Sequence, residues 1–276
     1  MLGERQKKMA VINDISGYGR CSITVSLPII SHMKIQCCPL PTSIFSNHTG
    51  YETFFFDDYT DKMPHYIENW RKLGLKFDGI TSGFLGSKRQ IQMVESFIKE
   101  FRNENSKIII DPVMGEDGRA YTTYTKEMCE EMKKLVAYAD IITPNVTESC
   151  MLTNTPYKES GWKIKEFYDM AEKLTQMGSK KVAISGIKMG KFIGNVVYEL
   201  GKDPKIVKVK RVGKERAGTG DIYSAILAAD CVNEIDLETS VRKAAYFIKD
   251  CISITEKYNT PKEDGVCFEE ILYRLK

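Results

Sequence analysis

Residues 217–229 read AGTGDIYSAILAA, a glycine-rich turn that runs directly into a helix of small and aliphatic residues. Glycines at a helix N-terminus let a ligand approach the free backbone N–H groups closely, and the helix dipole adds a partial positive charge there. Asp221 lies in the middle of this anion site, which is unfavourable unless the carboxylate has a task. Accepting a proton from a hydroxyl that attacks a phosphate is such a task. Taken alone, the stretch fits equally well a structural turn in which Asp221 complements the dipole.

The composition is that of an ordinary globular protein. The chain has 276 residues, of which 42% are hydrophobic and 28% are charged, and this length can hold one large domain or two small ones. A net charge of +3 is too small to indicate a nucleic-acid surface, and the longest apolar runs are shorter than a membrane span. We therefore expect neither a nucleic acid nor a membrane as a partner.

The eight cysteines do not follow a disulfide or metal-binding pattern. Six are isolated, Cys37 and Cys38 are adjacent, and no C-x-x-C pair occurs. The segment 1–8 is polar and charged rather than a secretory signal. We expect reduced thiols in a cytoplasmic protein.

Short apolar strands alternate with helical segments along the whole chain. Strands are predicted at 9–12, 35–40, 79–84, 107–110, 140–142 and 181–184, with a β-hairpin formed by 192–200 and 206–211. Helices are predicted at 23–33, 64–73, 88–101, 126–138, 164–177, 221–231, 236–257 and 268–276. This alternation is typical of a three-layer α/β fold, a mostly parallel sheet with helices on both faces. No linker or repeat interrupts it, so a single domain over 1–276 is predicted.

Polar segments follow the predicted strands. In open parallel sheets the ligand crevice lies beyond the carboxyl ends of the strands, so these segments are expected to meet: 13–20, 46–51, 111–118, 143–148 and 185–186. Acids and amides opposite a glycine turn are what a magnesium–nucleotide site needs. Each segment alone fits a turn or a helix start, with Asn145 or Thr147 as the cap. Their joint occurrence favours a site.

Three motifs, in this order, are shared with the pyridoxal kinases of the ribokinase superfamily: D-P-V-x-G at 111–115, T-P-N-x-x-E at 143–148 and G-T-G-D at 218–221. The segment S-N-H-T-G-Y at 46–51 resembles the vitamin B6 pocket loop of that family. The resemblance spans nearly the whole chain and is nearest to the bacterial pyridoxal or pyridoxamine kinases. It implies a ribokinase-like fold and ATP-dependent phosphorylation of the 5′-hydroxymethyl group of pyridoxal, pyridoxamine or pyridoxine, in salvage of pyridoxal 5′-phosphate.

The resemblance also assigns roles to individual residues. Asp221 would be the general base, ionised at neutral pH, and the anion hole would be Gly218, Thr219 and Gly220. The ATP and Mg²⁺ side would comprise Asp111, Thr143, Asn145, Glu148 and Ser185, with the metal at Asp111 and Glu148. The substrate side would comprise His48, Thr49, Phe84, Asp221 and either Asp14 or Ser16. A homodimer and an assisting monovalent cation are implied as well.

Two positions depart from the family pattern. Phe84 stands where tyrosine is frequent, and Glu116 where aspartate is frequent.

Three other functions are disfavoured by the sequence. The segment G-Y-G-R-C-S at 17–22 resembles a dinucleotide fingerprint, but Ser22 replaces its third glycine, which disfavours a dehydrogenase. A hydroxymethylpyrimidine (phosphate) kinase of thiamine synthesis is the nearest rival, although those enzymes tend to have cysteine in place of Asp221. A non-catalytic B6-binding protein would lose Asp221 or the glycine turn.

Overall fold

The computed structural model describes residues 5–275, and within them nine strands form one sheet. The strands are β1 (Lys8–Tyr18), β2 (Gln36–Asn47), β3 (Phe56–Asp58), β4 (Phe77–Ser82), β5 (Arg102–Ile110), β6 (Gly115–Glu116), β7 (Arg119–Ala120), β8 (Ile141–Ile142), β9 (Lys181–Met189), β10 (Phe192–Glu199) and β11 (Lys205–Lys210). The sheet order is β11-β10-β9-β8-β5-β4-β1-β2-β3, and β6 pairs only with β7. Strands β2, β1, β4, β5, β8 and β9 are parallel, while β3 at one edge and β10–β11 at the other are antiparallel.

Helices cover both faces of this sheet. They are α1 (Ser22–His32), α2 (Met63–Lys72), α3 (Lys88–Phe101), α4 (Lys126–Val136), α5 (Val146–Thr153), α6 (Ile164–Gln176), α7 (Thr219–Val232) and α8 (Leu237–Thr255), followed by 3₁₀ turns at Glu256–Tyr258, Lys262–Asp264 and Phe268–Arg274. Successive residues of β1 enter opposite cores, because strand side chains alternate between faces: Ala10 and Ile12 pack with α2–α6, and Met9 and Val11 with α1, α7 and α8. The predicted three-layer α/β class is confirmed.

Helix α7 is the central helix of one layer, which explains its small side chains. It packs against α1 and α8 on its flanks and against β4 and β5 beneath. All residues from Ile222 to Asp230 are buried, so this helix has no polar face. Ala225, Ala228 and Ala229 allow three neighbours to approach closely, and this packing holds the N-terminus of α7 at the carboxyl edge of the sheet.

The structure differs from the sequence prediction at several elements. Strand β9 does not end before Ser185 but continues to Met189. On the side opposite its parallel partner β8, it pairs with β10, which is antiparallel to it. Helix α5 was not predicted as a helix, since it has only eight residues and is buried on most sides. The expected C-terminal helix is a 3₁₀ segment, Phe268–Arg274, and its last predicted residue, 276, lies outside the described residues.

The eight cysteines are all free thiols. Over residues 5–275, no helix has the length and apolar character needed to cross a membrane.

Candidate active site

The carboxyl ends of the central strands and the N-terminus of α7 meet at one small cleft. Asp111, which follows β5, and Asp221, in the first turn of α7, line the same cavity, together with Asn13 and Ser82 from β1 and β4. Ser224, one turn further along α7, completes its polar wall. Residues more than a hundred positions apart in the chain are thus neighbours, as the strand-end rule predicts.

The glycine turn presents free backbone donors to this cleft. Gly218 is the N-cap of α7 with φ 75°, and a Cβ atom there would lie 1.8 Å from the carbonyl oxygen of Arg20. Any side chain at 218 would therefore clash with backbone. Within residues 5–275, the N–H groups of Thr219 and Gly220 donate to no backbone acceptor, and a Cβ at Gly220 would meet open space. This arrangement suits a bound anion.

Asp221 is held by two donors from the first strand and helix. The Asn13 Nδ2 donates to its Oδ1 at 3.4 Å, and the backbone N–H of Ser22 also donates to the carboxylate. Burial raises the pKa of Asp221 to about 6, and the nearby charge of Asp14 acts in the same direction. The helix dipole alone would keep this pKa low, so burial outweighs the dipole. Asp221 is still mostly ionised at neutral pH.

Asp111 is a second carboxylate in the same cleft. Burial raises its pKa, and the charge of Asp221 raises it further, while hydrogen bonds from the hydroxyls of Thr143 and Ser224 oppose the shift. The two hydroxyl oxygens lie 3.5 Å apart. Burial and the charge of Asp221 thus disfavour the ionised form of Asp111 in the ligand-free protein, and a cation close to Asp111 would act in the opposite direction.

Glu148 and Asn145 form the capping box at the start of α5. The backbone N–H of Asn145 donates to Glu148 Oε2 at 2.7 Å, and that of Met114 donates to Oε1 at 3.2 Å. Asn145 in turn accepts from the Glu148 N–H and donates from Nδ2 to the carbonyl of Gly115 at 2.8 Å. Asn145 therefore serves as the N-cap of α5, which was the structural alternative for this residue. Burial and the charge of Asp111 raise the pKa of Glu148.

Ser185 lies next to this capping box rather than at a strand end. It forms an isolated parallel bridge with Asn145, and its N–H donates to the carbonyl of Pro144 at 2.9 Å. The contact aligns β9 with the start of α5, and Ser185 is half-buried.

On the other side of Asp221, Asp14 and Ser16 form a buried pair. The Ser16 hydroxyl donates to Asp14 Oδ2 at 3.1 Å, and the exposed fractions are 0% for Ser16 and 5% for Asp14. Burial raises the pKa of Asp14. Phe84 packs edge-on against Phe45, with ring centroids 6.2 Å apart. Asp14 and Ser16, the two alternatives for the substrate side, thus lie together, and the structure does not favour one over the other.

His48 and Thr49 differ sharply in their surroundings. The N–H of Gly50 donates to His48 Nδ1 at 3.1 Å, and His48 Nε2 lies 2.7 Å from the carbonyl oxygen of Glu263. Because Nδ1 accepts, the proton must be on Nε2, so both ring nitrogens have protein partners. Thr49 is exposed. Contacts of His48 and Thr49 with a substrate remain predictions. Of the two residues, Thr49 is the better candidate for a direct contact, because its exposed hydroxyl is available to a ligand.

Two residues at the site were not recognised from the sequence. Asn13 accepts the N–H groups of Asp14 and Phe84 at its Oδ1, at 2.9 and 2.7 Å, while its Nδ2 donates to Asp221. Ser22 has φ 55°, the left-handed region that a glycine would favour. Its N–H bonds Asp221 and its hydroxyl bonds Asp14. The available signal for Asn13 was a polar residue directly after the predicted strand 9–12, although β1 continues to Tyr18; a replaced glycine was the signal for Ser22.

We call the glycine turn at Gly218–Gly220 the anion turn. The fold, together with the anion turn and the carboxylate of Asp221 beside it, defines a kinase of the ribokinase-like superfamily. Residues 67–266 match the phosphomethylpyrimidine kinase family. Since this match covers more than half of the chain, the protein belongs to that family.

Known proteins of two kinds resemble the chain over most of its length. A Bacteroides thetaiotaomicron protein described as a phosphomethylpyrimidine kinase, in a crystal form with pyridoxal, is 38% identical, with a TM-score of 0.94 over 98% of this chain and 96% of that one. Pyridoxal kinase PdxY of Actinobacillus pleuropneumoniae is 28% identical over 87% of this chain and 86% of its own. Pyridoxal kinase of Leishmania donovani, in complex with ADP and pyridoxamine, is 20% identical with a TM-score of 0.88 over 98% and 95% of the two chains, which shows the shared fold.

Replacing Asp221 by asparagine should stabilise the ligand-free protein at neutral and alkaline pH. The carboxyl has a pKa of about 6 in the folded chain and about 3.9 in an unfolded one. The raised pKa therefore lowers the free energy of unfolding as the pH rises above the unfolded value, and this effect is complete above the folded value. We expect Asp221→Asn to raise the free energy of unfolding by about 1–3 kcal/mol at about pH 8 and to change it little near pH 4.

Urea unfolding at the two pH values measures this difference. The matched control is Asp203→Asn, in the exposed turn between β10 and β11, which should have no effect at either pH. A loss of stability at pH 8 in Asp221→Asn would contradict the reading of Asp221 as a carboxylate destabilised by its surroundings.

Proposed function

We propose that the protein is an ATP-dependent kinase that phosphorylates the 5′-hydroxymethyl group of a B6 vitamer, pyridoxal, pyridoxamine or pyridoxine, in salvage of pyridoxal 5′-phosphate. The observation that carries this proposal is the position of Asp221, one residue beyond the open N–H groups of Thr219 and Gly220. An anion turn beside a carboxylate fits transfer of a phosphoryl group to a hydroxyl. The pyridoxal in the crystal form of the Bacteroides protein and the name of the Actinobacillus relative support the choice of substrate.

Asp221 is the proposed general base. Phosphoryl transfer through a loose transition state needs a base that is well placed rather than strong, and a pKa of about 6 leaves Asp221 able to accept a proton at neutral pH. Asn13 and Ser22 fix the carboxylate, so it orients the hydroxymethyl oxygen toward the phosphate. The N–H groups of Gly218, Thr219 and Gly220 stabilise the charge that develops on the transferred group.

Asp111 and Glu148 are the proposed metal-side residues, with ATP also bordered by Thr143, Asn145 and Ser185. The residues fit a divalent cation, because Asp111 and Glu148 are buried carboxyls and the charge of Asp111 raises the pKa of Glu148, a repulsion that a cation near them would relieve. Bound Mg²⁺ would supply the charge neutralisation that lets a triphosphate lie beside these acids. Glu148 is already oriented by the N–H groups of Asn145 and Met114, so its own contribution is to hold negative charge in a fixed place.

The B6-side surface is proposed to comprise Asp14 or Ser16, His48, Thr49 and Phe84. Phe84 offers an aromatic face for a pyridine ring, and Asp14, Ser16 and Thr49 offer hydrogen-bonding groups. His48 contributes by shaping the loop, since its nitrogens are occupied.

The alternative function is that of a hydroxymethylpyrimidine or phosphomethylpyrimidine kinase, which the family match itself favours. Its substrates also present a hydroxymethyl or phosphomethyl group on a flat heteroaromatic ring, so the fold does not separate the two. Asp221 in the base position and the S-N-H-T-G-Y loop favour the B6 vitamers.

The decisive experiment measures ADP release with ATP and each of four acceptors: pyridoxal, pyridoxamine, pyridoxine and hydroxymethylpyrimidine. We expect kcat/KM for at least one B6 vitamer to exceed that for hydroxymethylpyrimidine by about tenfold or more, the discrimination that one well-placed hydrogen bond gives. Preference for the pyrimidine would establish the alternative, and binding of pyridoxal without turnover would indicate a non-catalytic protein.

The same assay tests Asp221. Asp221→Asn keeps the shape of the side chain and removes its basicity, so kcat should fall by about 10²–10⁴-fold while ATP and pyridoxal still bind. Calorimetric titration of both ligands is the control for an intact site. A folded variant with nearly unchanged kcat would remove Asp221 from the mechanism.

Glu148→Gln tests the metal side. Removing one negative charge should raise the Mg²⁺ concentration for half-maximal activity by about 10–100-fold, the usual effect of changing a residue that supports a metal site. Glu166→Gln is the matched control, because Glu166 forms the equivalent capping bond at the start of α6, accepting the Lys163 N–H at 2.8 Å, far from the cleft. Equal magnesium titrations in both variants would count against the role of Glu148.

We further propose one kinase domain over 1–276 that acts as a cytoplasmic homodimer, assisted by a monovalent cation. The homodimer proposal is supported by an apolar surface beside the edge strand β3, where Phe54, Phe55 and Phe56 are 47%, 65% and 44% exposed. Covering these rings would remove apolar area from water. Sedimentation equilibrium should give twice the chain mass, and a monomer at micromolar concentration would refute this part.

A further inference from the structure

Residues 260–265, T-P-K-E-D-G, which we call the C-terminal strap, lie between the two sides of the candidate site. The strap follows the 3₁₀ turn after α8 and contains the turn Lys262–Asp264. It contacts the B6-side loop, residues 46–51, and also the residues that lead into the anion turn.

On the B6 side, the strap receives three side chains. Tyr51 donates its hydroxyl to Asp264 Oδ1 at 2.7 Å, and Tyr18 donates to Oδ2 at 3.2 Å. The His48 Nε2 bonds the carbonyl of Glu263. Both carboxylate oxygens of Asp264 thus hold aromatic residues of β1 and of the loop, and the rings of His48 and Tyr51 pack together with centroids 4.8 Å apart.

On the phosphate side, Arg216 joins the strap to the anion turn. Its guanidinium donates to the carbonyls of Thr260 and Pro261 at 2.9 and 3.1 Å, and pairs with Glu256 at 3.0 Å. The side chain is only 4% exposed, so the cation is buried against these acceptors. The next residue, Ala217, donates its N–H to the carbonyl of Lys262 at 3.3 Å.

The two sides meet at a tight junction of backbones. Gly265 has φ 81°, and a Cβ there would lie 2.9 Å from the carbonyl oxygen of Arg20 and 3.3 Å from that of Ala217. The Arg20 N–H and guanidinium each lie 3.3 Å from the Asp264 carbonyl oxygen, to which they donate. The same Arg20 carbonyl closes against Gly218. The strap, the loop that follows β1 and the anion turn therefore meet at the carbonyl of Arg20.

We propose that the strap is a positioning element that sets the B6-side loop and the anion turn relative to each other, with Asp264 positioning the loop and Arg216 positioning the turn. This inference rests on the proposed function. Neither residue needs to touch a substrate: each acts by fixing a segment that does. Loss of Asp264 contacts should therefore affect the vitamer, and loss of Arg216 contacts should affect the nucleotide.

The kinetic test compares Tyr51→Phe with Tyr138→Phe. Both substitutions remove a tyrosine hydroxyl that donates to a carboxylate, but Tyr138 bonds Glu95 at 2.9 Å on the face covered by α3 and α4. We expect Tyr51→Phe to raise KM for the vitamer about 3–30-fold, as for loss of a hydrogen bond to a charged acceptor, with KM for ATP within about twofold. Tyr138→Phe should change neither.

Arg216 is tested by a pair of variants. Arg216→Met should raise KM for ATP about tenfold or more, because the buried carbonyls lose their cation, and Arg216→Lys should restore part of the loss since an ammonium still donates to carbonyls. Equal losses in Arg216→Lys and Arg216→Met would overturn the positioning role of the charge. Equal KM shifts for both substrates in Tyr51→Phe would overturn the assignment of Asp264 to the loop.

Hydrogen exchange gives a readout that does not depend on turnover. In Asp264→Ala, amides of residues 46–51 should exchange faster than in the wild type, while those of α3 stay unchanged. If the wild-type protein phosphorylates no B6 vitamer, the proposed function fails, yet this exchange experiment still decides whether the strap holds the loop. Unchanged exchange at 46–51 would refute the strap.

Discussion

The close approach of Gly218 to the Arg20 carbonyl is the constraint on which the site depends. Helix α7 is buried on all sides, so its direction is set by packing against α1, α8 and the sheet. Its N-terminus then has to fit against the loop that follows β1, and only a residue without a Cβ allows that contact. Because the contact is made, the carboxylate of Asp221 reaches Asn13 and Ser22. The open N–H groups of the turn and the carboxylate of Asp221 are thereby fixed by the same packing.

The cleft concentrates negative charge at a cost to stability. Burial raises the pKa values of Asp14, Asp111, Asp221 and Glu148, and the charges of neighbouring carboxylates raise them further for Asp111, Asp221 and Glu148. A core built for stability alone would pair or replace such groups. Here the hydroxyls of Thr143 and Ser224 and the backbone donors at Glu148 offset only part of the repulsion. A cation bound beside these carboxyls would offset the remainder, which supports the proposed metal side of the site.

The sequence predicted features that are local or periodic. The turn at Gly218, the acids after strands and the alternation of strands and helices are each encoded in a short stretch, and the strand-end rule brings Asp111 and Asp221 to one edge. It could not predict which polar atoms are already occupied. His48 meets Glu263 across more than two hundred residues, and the Asn145 amide already bonds Glu148 and Gly115. The predicted strand 181–184 stops at the polar segment 185–186, whereas pairing with β10 carries β9 to Met189.

The crowding at the junction of Arg20, Gly218 and Gly265 has a bearing on protein engineering. Positions where a single methyl group would overlap backbone tolerate no variation, so the geometry of phosphate binding is effectively frozen. The tip of the B6-side loop is the opposite case, because Ser46, Thr49 and Thr53 are exposed. A library meant to shift acceptor preference would therefore be most productive at the loop tip, where new side chains meet solvent rather than the backbone contacts that hold the site.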